Sequence, residues 1–211
     1  MRVPLRVVVL ARAPIPGQSK TRLVPRLGRW GAARLQARLI ERTLRTAHAA
    51  GIGRIELHAA PRARGPFFLH CARPFRATLH AQRGRDLGER MQRALAHALR
   101  GARGALLIGT DCPSLSVRDL RRAARALQGG ADAVLAPAED GGYGLIGLRR
   151  ADPRAFDGIA WGGAAVYADT RARMDALGWR VSVQRTVWDL DRPEDLTRRI
   201  ALRARVRGGA P

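Results

Sequence analysis

Short apolar runs along the chain alternate with longer stretches in which apolar residues recur every three or four positions. Arg6–Ala11 (RVVVLA) is nearly all apolar, the pattern of a strand buried on both faces. Trp30–Ala49 carries Leu35, Leu39 and Leu44 on one side and predicts a long helix. Two short strands follow, at Arg54–Ala59 and Ala77–Ala81. A helix is expected from Asp86, where Asp86 and Glu89 stand at capping-box spacing and Leu87, Met91 and Leu95 form an apolar stripe. Ala105–Gly109 is another buried strand, and Ser116 with Asp119 opens a helix that stops at Gly129. Strands at Asp132–Ala136 and Tyr143–Leu148 precede a helix over about 163–177, a strand at Trp179–Thr186 and a last helix from Pro193. This alternation predicts an α/β fold in three layers, a mostly parallel sheet with helices on both faces. Ligands in such folds sit beyond the carboxyl ends of the strands, so the loops that follow strands are the places to look for chemistry.

Composition narrows the class. The chain has 211 residues, 46% hydrophobic and 27% charged, which is globular and long enough to bury a core. No repeat or low-complexity linker divides it, so one domain is expected. Cys71 and Cys112 are the only cysteines, which excludes a disulfide scaffold or a zinc ribbon. The apolar run Val7–Ala11 is too short for a membrane span or a signal-peptide core, and a cytoplasmic protein without a membrane span is expected.

The net charge of +22 raises nucleic acid as a partner. Of the 39 basic residues one is lysine, Lys20, and the rest are arginine; asparagine is absent. Lysine and asparagine share AA-starting codons, so this is the usage of a GC-rich genome. The arginines are spread along the whole chain with few aromatics between them, the pattern of a solvated surface. A basic, non-catalytic protein associated with nucleic acid therefore ranks below the two classes of enzyme to which the motifs point.

Four clusters carry candidate chemistry. The loop after the first strand runs from Ala11 through Pro14 and Gly17 to Lys20 and Arg22. Its prolines stiffen it, Gly17 permits a tight path, and the two cations are close enough to converge on one phosphate chain. It is not a Walker A loop, because Ser19 stands where that motif needs glycine. After Ala105–Gly109, Asp111 points into the crevice where phosphates and Mg²⁺ would lie; capping of the following turn is the plain alternative. In Glu139-Asp140-Gly141-Gly142-Tyr143-Gly144 the glycines let backbone approach a ligand, with Asp140 beside it as base or acceptor; a simple hairpin turn fits as well. The Gly-x-Gly-x-x-Gly spacing there is not a dinucleotide fingerprint, because no helical pattern follows. Last, Asp189 and Asp191 face one side of an extended segment, and Asp191 could hold a metal, cap the helix at Pro193, or both. His48, His58, His70, His80 and His97 lack metal-site spacing and are expected to be packing or surface residues.

Taken in order, APIPGQSKTRL, QRGRDLGERM, LLIGTDCPSL, PAEDGGYGLIGL, IAWGG and WDLDRPEDL resemble the radical-SAM/selenodomain-associated transferase 1 family. These are glycosyltransferase-like proteins of the GT-A, nucleotide-diphospho-sugar transferase fold, a Rossmann-like single domain. More distantly, KTRL, the Asp-x-Pro of DCP and DLDRPEDL are similar to guanylyltransferases of the same superfamily. The resemblance implies a nucleotide-binding half over about 1–110, an acceptor half over about 111–200 and a basic tail at 201–211. It implies a nucleotide-dependent transferase: a glycosyltransferase using a nucleotide sugar and a small-molecule acceptor, or a nucleotidyltransferase using an NTP, with Mg²⁺ or Mn²⁺. Lys20 and Arg22 would meet the phosphates, with Ala11, Pro14, Gly17, Gln82, Gly84 and Asp86 lining the nucleotide side. Asp111 and Asp191 would serve the metal. Asp140, Gly141, Gly142, Tyr143 and Trp161 would lie toward the acceptor. Many GT-A glycosyltransferases carry an Asp-x-Asp pair near the nucleotide. Here Thr110-Asp111-Cys112 supplies one acid, and the only such pair is Asp189-Leu190-Asp191.

Overall fold

The structure, a computed structural model, describes residues 5–198; the basic segment at 201–211 lies outside them. Seven strands form one sheet in the order β3-β2-β1-β4-β6-β5-β7. They are β1 (Leu5–Arg12), β2 (Gly53–Ala60), β3 (Thr78–Ala81), β4 (Gly104–Gly109), β5 (Ala133–Pro137), β6 (Tyr143–Leu148) and β7 (Val181–Val183). All neighbouring pairs are parallel except those of β6, which runs antiparallel to both β4 and β5. The helices are α1 (Val24–Ala50), α2 (Pro66–Ala72), α3 (Leu87–Leu99), α4 (Val117–Gln128) and α5 (Val166–Ala176). The result is a mostly parallel sheet with helices on both faces, as the alternating pattern predicts.

Strand alternation builds two cores. Val7 and Val9 of β1 point to a layer that contains Ile40 and Leu44 of α1, Phe68 of α2 and Leu120 of α4. Val8 points the other way, to Met91 and Leu95 of α3 and Met174 of α5. A third, small cluster of Leu23, Leu35, Leu39 and Leu190 pins the late segment around residue 190 against the start of the chain's first helix. That contact carries Asp189 and Asp191 to the loop after β1.

Helix starts follow the expected caps. Asp86 accepts from Glu89 N, and Ser116 and Asp119 form a reciprocal capping box. Three expectations need correction. Leu87, expected on the buried stripe, is the first helical residue and is 47% exposed at the rim of a cavity. The strand expected over Trp179–Thr186 is only Val181–Val183, because Trp179 N still bonds Met174 O at the end of α5 and its ring packs into the core. The last helix begins at 195, not Pro193, since 193–194 form a turn. Helix α2 has no counterpart in the sequence pattern; its seven residues are too few to display a period.

Candidate functional site

The loops that follow β1 and β4, the start of β6 and the segment around residue 190 enclose a cavity of about 660 Å³ at one end of the sheet. Its geometry begins with Ser19. The hydroxyl donates to Ala13 O and accepts from Ile15 N, both at 2.8 Å, and so clips the loop after β1 into a closed turn. Lys20 then takes a left-handed backbone conformation (φ 49°, ψ 49°) that turns its side chain inward. The side chain is only 4% exposed. Its ammonium donates to Leu190 O at 2.6 Å and lies 2.7 Å from Asp111 Oδ1 and 3.9 Å from Asp191 Oδ1. Arg22, on the next turn, reaches Asp191 Oδ2 at 2.5 Å.

Asp111 leaves β4 with its backbone tied to the same segment, Leu190 N donating to Asp111 O at 2.8 Å. About half of its side chain is exposed, yet Oδ1 is buried and accepts no aligned hydrogen bond, only the ion pair with Lys20. The Asp191 carboxylate is occupied by Lys20 and Arg22 and does not cap a helix; Asp195 Oδ2 instead accepts from Asp191 N and Arg192 N. Asp189 also lines the cavity. Burial, and then the charge of Asp140, hold its carboxyl above the usual carboxylate value. Burial, followed by the charges of Asp189, Asp111 and Asp140, pushes the neighbouring Cys112 thiol far up, disfavouring its thiolate.

On the far wall, the turn before β6 is folded tightly. Asp140 Oδ1 accepts from Gly142 N at 2.9 Å, and Gly141 has φ 88°. A side chain at Gly141 would strike Ala164 O, with its Cβ only 2.0 Å away. Trp161 packs against α3 where residue 88 is glycine; a Cβ there would sit 2.2 Å from the indole.

Of the residues singled out from the sequence, the cavity gathers Ala11, Lys20, Arg22, Gln82, Asp111, Asp140, Gly142, Tyr143, Trp161 and Asp191. Gln82 is there as a tie rather than a free ligand: its amide nitrogen donates to Ala11 O and His58 O. Pro14, Gly17, Gly84, Asp86 and Gly141 do not line the cavity. Pro14 and Gly17 shape the turn, Asp86 caps α3, Gly84 O holds Arg90 Nε at 3.1 Å, and Gly141 packs against the 164 backbone. Sequence reasoning missed Arg12, Gln36 and Arg90 as lining residues. Asp189 was visible as half of an Asp-x-Asp pair; Gln36 and Arg90 lie inside helices and carried no signal. The cavity's charged groups are Arg12, Lys20, Arg22 and Arg90 against Asp111, Asp140, Asp189 and Asp191. In a chain of net charge +22 this one region is formally neutral.

The fold is shared with several solved structures. A protein from Desulfovibrio desulfuricans G20, provisionally named a nucleotide-diphospho-sugar transferase, superposes with a TM-score of 0.80 at 31% identity, over 89% of this chain and 82% of that one. Glucosyl-3-phosphoglycerate synthase from Mycobacterium tuberculosis, solved with Mn²⁺, UDP and glucosyl-3-phosphoglycerate, gives 0.58 at 12% identity, covering 99% and 81%. The 2-C-methyl-D-erythritol 4-phosphate cytidylyltransferase of Thermus thermophilus gives 0.55 at 19%, covering 97% and 100%. No curated protein matches the chain. Residues 43–163 match the family described as uncharacterized protein conserved in bacteria, DUF2064. With more than half of its length in that match, the chain belongs to the DUF2064 family.

Proposed function

We propose that this protein is a nucleotide-dependent transferase that moves a sugar from a nucleotide-diphospho-sugar to a small-molecule acceptor. One observation carries this reading: paired cations, four carboxylates and a glycine-rich turn converge on one 660 Å³ cavity at the loop end of a GT-A sheet. The resemblance of the ordered motifs to the radical-SAM/selenodomain-associated transferases, and the Desulfovibrio structure, support a sugar donor.

The cavity's charge balance bears on the cofactor. A diphosphate entering a neutral pocket adds negative charge beside four carboxylates, and a divalent cation removes that conflict. The donor set fits Mg²⁺ or Mn²⁺: hard carboxylate oxygens, with the buried Asp111 Oδ1 met only by the Lys20 ammonium, which the donor phosphates would draw away. Asp111 would hold the ion with Asp191, or with Asp189, and phosphate oxygens. When bound, the ion would stabilise charge on the departing diphosphate.

The residues then take these roles. Lys20 and Arg22 face the donor phosphates once those compete for the positions now held by Asp111 and Asp191. The acceptor oxygen attacks the anomeric carbon, the bond from that carbon to the phosphate oxygen breaks, and its electron pair leaves with the nucleoside diphosphate. Asp140 takes the acceptor's proton, and Trp161 with Gly142 and Tyr143 walls the acceptor side. The donor contacts come mainly from the half before about residue 110 and the acceptor contacts from the half after it. A cytoplasmic setting belongs to the same proposal; among the described residues no helix is long and apolar enough to cross a membrane.

Nucleotidyl transfer is the second reading, favoured by the placement of Lys20 and Arg22 in one stiff loop, where they would suit the β- and γ-phosphates of a triphosphate. Thermal unfolding with UDP-, GDP- and dTDP-sugars and with nucleoside triphosphates, each with Mg²⁺ or Mn²⁺, separates the two. A ligand at 100 times its dissociation constant adds about 2.7 kcal/mol to the folded state. A rise confined to one nucleotide sugar supports glycosyl transfer, and a rise confined to one triphosphate supports nucleotidyl transfer. No rise with either class overturns both.

A further inference from the structure

Three of the five histidines meet at a spot outside the cavity described above. Strand β2 presents Glu56 and His58 on one face, two residues apart, and β3 lies parallel with His80 directly opposite His58. Helix α3 crosses that face and adds His97. His58 Nε2 is 3.2 Å, and His97 Nε2 3.9 Å, from the same oxygen, Glu56 Oε2. Each of Glu56, His58 and His80 has a ligating atom within 4.8 Å of those of the other two. Ring centroids are separated by 4.8 Å (His58–His80), 4.5 Å (His80–His97) and 5.9 Å (His58–His97).

We propose that Glu56, His58 and His80, with His97 as a fourth ligand, form a binding site for a divalent transition metal, zinc in the first instance. Geometry supports it. Imidazoles bound tetrahedrally to zinc have centroids about 5 Å apart and ligand atoms about 3.4 Å apart. The observed separations bracket the first value, and those from Glu56 Oε2 lie close to the second. Outer partners are also in place. Arg6 holds Glu56 Oε1 at 2.5 Å, which aims Oε2 at the imidazoles, and Thr78 Oγ1 lies 3.1 Å from His80 Nε2. Arg100 contacts His97 Nδ1 and must swing aside, which an exposed arginine can do cheaply. Imidazole nitrogens with one carboxylate are the ligands of zinc rather than of magnesium, so this site and the aspartate cavity would take different ions.

The surroundings indicate what else binds. The histidines open onto a cavity of about 360 Å³ that is also lined by Arg83, Arg90, Arg93 and Arg100. Guanidinium groups beside a dication call for an anion, so a phosphate or carboxylate would sit against these arginines, next to the four-coordinate metal. An anion held by arginine and histidine with no metal is the rival occupant.

The test uses the full-length chain without an affinity tag, stripped with chelator and titrated with Zn²⁺, and in parallel with Co²⁺. The expected result is one zinc per chain and the intense visible bands of tetrahedral cobalt. His80→Ala and His97→Ala, both at part-exposed positions, should weaken zinc binding at least about tenfold. His70→Ala and Asp191→Asn should leave it unchanged. Weak octahedral cobalt bands in the unaltered protein would overturn the site without recourse to any variant. So would zinc binding that survives both histidine changes, or inorganic phosphate that stabilises the stripped protein as strongly alone as with zinc.

Discussion

Lys20 is a lone lysine among arginines, and its surroundings show why the exchange to arginine stops there. Its nitrogen faces Leu190 O, Asp111 Oδ1 and Asp191 Oδ1 within 4 Å, in a space that leaves the side chain 4% exposed. A tetrahedral ammonium can meet three acceptors around one point, whereas a planar guanidinium spreads its donors over a fork. Lys20→Arg is therefore expected to behave like Lys20→Ala. Each should cost about 1–2 kcal/mol, below the range for a fully buried pair because Asp111 is half exposed. Each should also abolish nucleotide-dependent stabilisation in thermal unfolding, and a Lys20→Arg variant that keeps both would refute the argument from shape. Gly88 makes a second case. Alanine inside a helix ordinarily gains about 1 kcal/mol over glycine, but a Cβ here would lie 2.2 Å from the Trp161 ring. Overpacking costs about 1–3 kcal/mol, so Gly88→Ala should lower the melting temperature and shift the tryptophan emission as the indole leaves the cavity wall.

At the scale of elements, α4 is joined to the segment after β7 by one charged cluster. Asp119, 7% exposed, caps its own helix through Ser116 and also takes two bonds from Arg185, at 2.7 and 2.9 Å. Burial alone would raise the Asp119 carboxyl, but the Arg185 and Ser116 hydrogen bonds outweigh it and hold the group below its ordinary 3.8. A lowered folded-state value means stability that is complete above pH 3.8 and is lost as pH falls through the lower folded value. Asp119→Asn should thus be less stable than the unaltered protein at pH 7, by about 1–2 kcal/mol given that Arg185 is partly exposed. Urea titrations at pH 7 and below 3.8 should show that gap narrowing in acid. The cap itself was legible in Ser116-x-x-Asp119; its partner Arg185, 66 residues away, was not. The same division runs through the whole chain. Local signals such as caps, apolar runs and loop glycines set most element positions and marked the loops that bring Lys20, Arg22, Asp111, Asp140 and Asp191 to the cavity. What stayed hidden was decided by distant partners: Trp179 claimed by the core, Leu87 left at a rim, and histidines on separate strands and a helix brought side by side.

Over the whole molecule, cations outnumber acids by 39 to 17, yet the candidate active-site cavity balances four against four. The excess therefore sits on the remaining surface, where like charges repel and destabilise the compact state. Added salt screens such charges once the Debye length falls to about 8 Å at 0.15 M. Raising NaCl from about 0.02 to about 0.3 M should increase the melting temperature; a decrease would mean that surface ion pairs outweigh repulsion. Ligand binding in the neutral cavity should depend only weakly on salt, whereas adsorption of polyanions to the surface should depend on it steeply.

Strand β6 runs against its neighbours, so the turn that introduces it hangs beside the loops leaving β1 and β4, at the mouth of the cavity. Below Tyr143 the strand is locked on both sides by paired register. Changes of side chain at Asp140 and Gly142, which line the cavity, are thus felt by whatever occupies it and hardly at all by the sheet, whereas Gly141 is fixed by the Ala164 backbone. Diversification of this protein can proceed through one short turn: a new ligand could be adopted while the frame of the sheet is inherited unchanged.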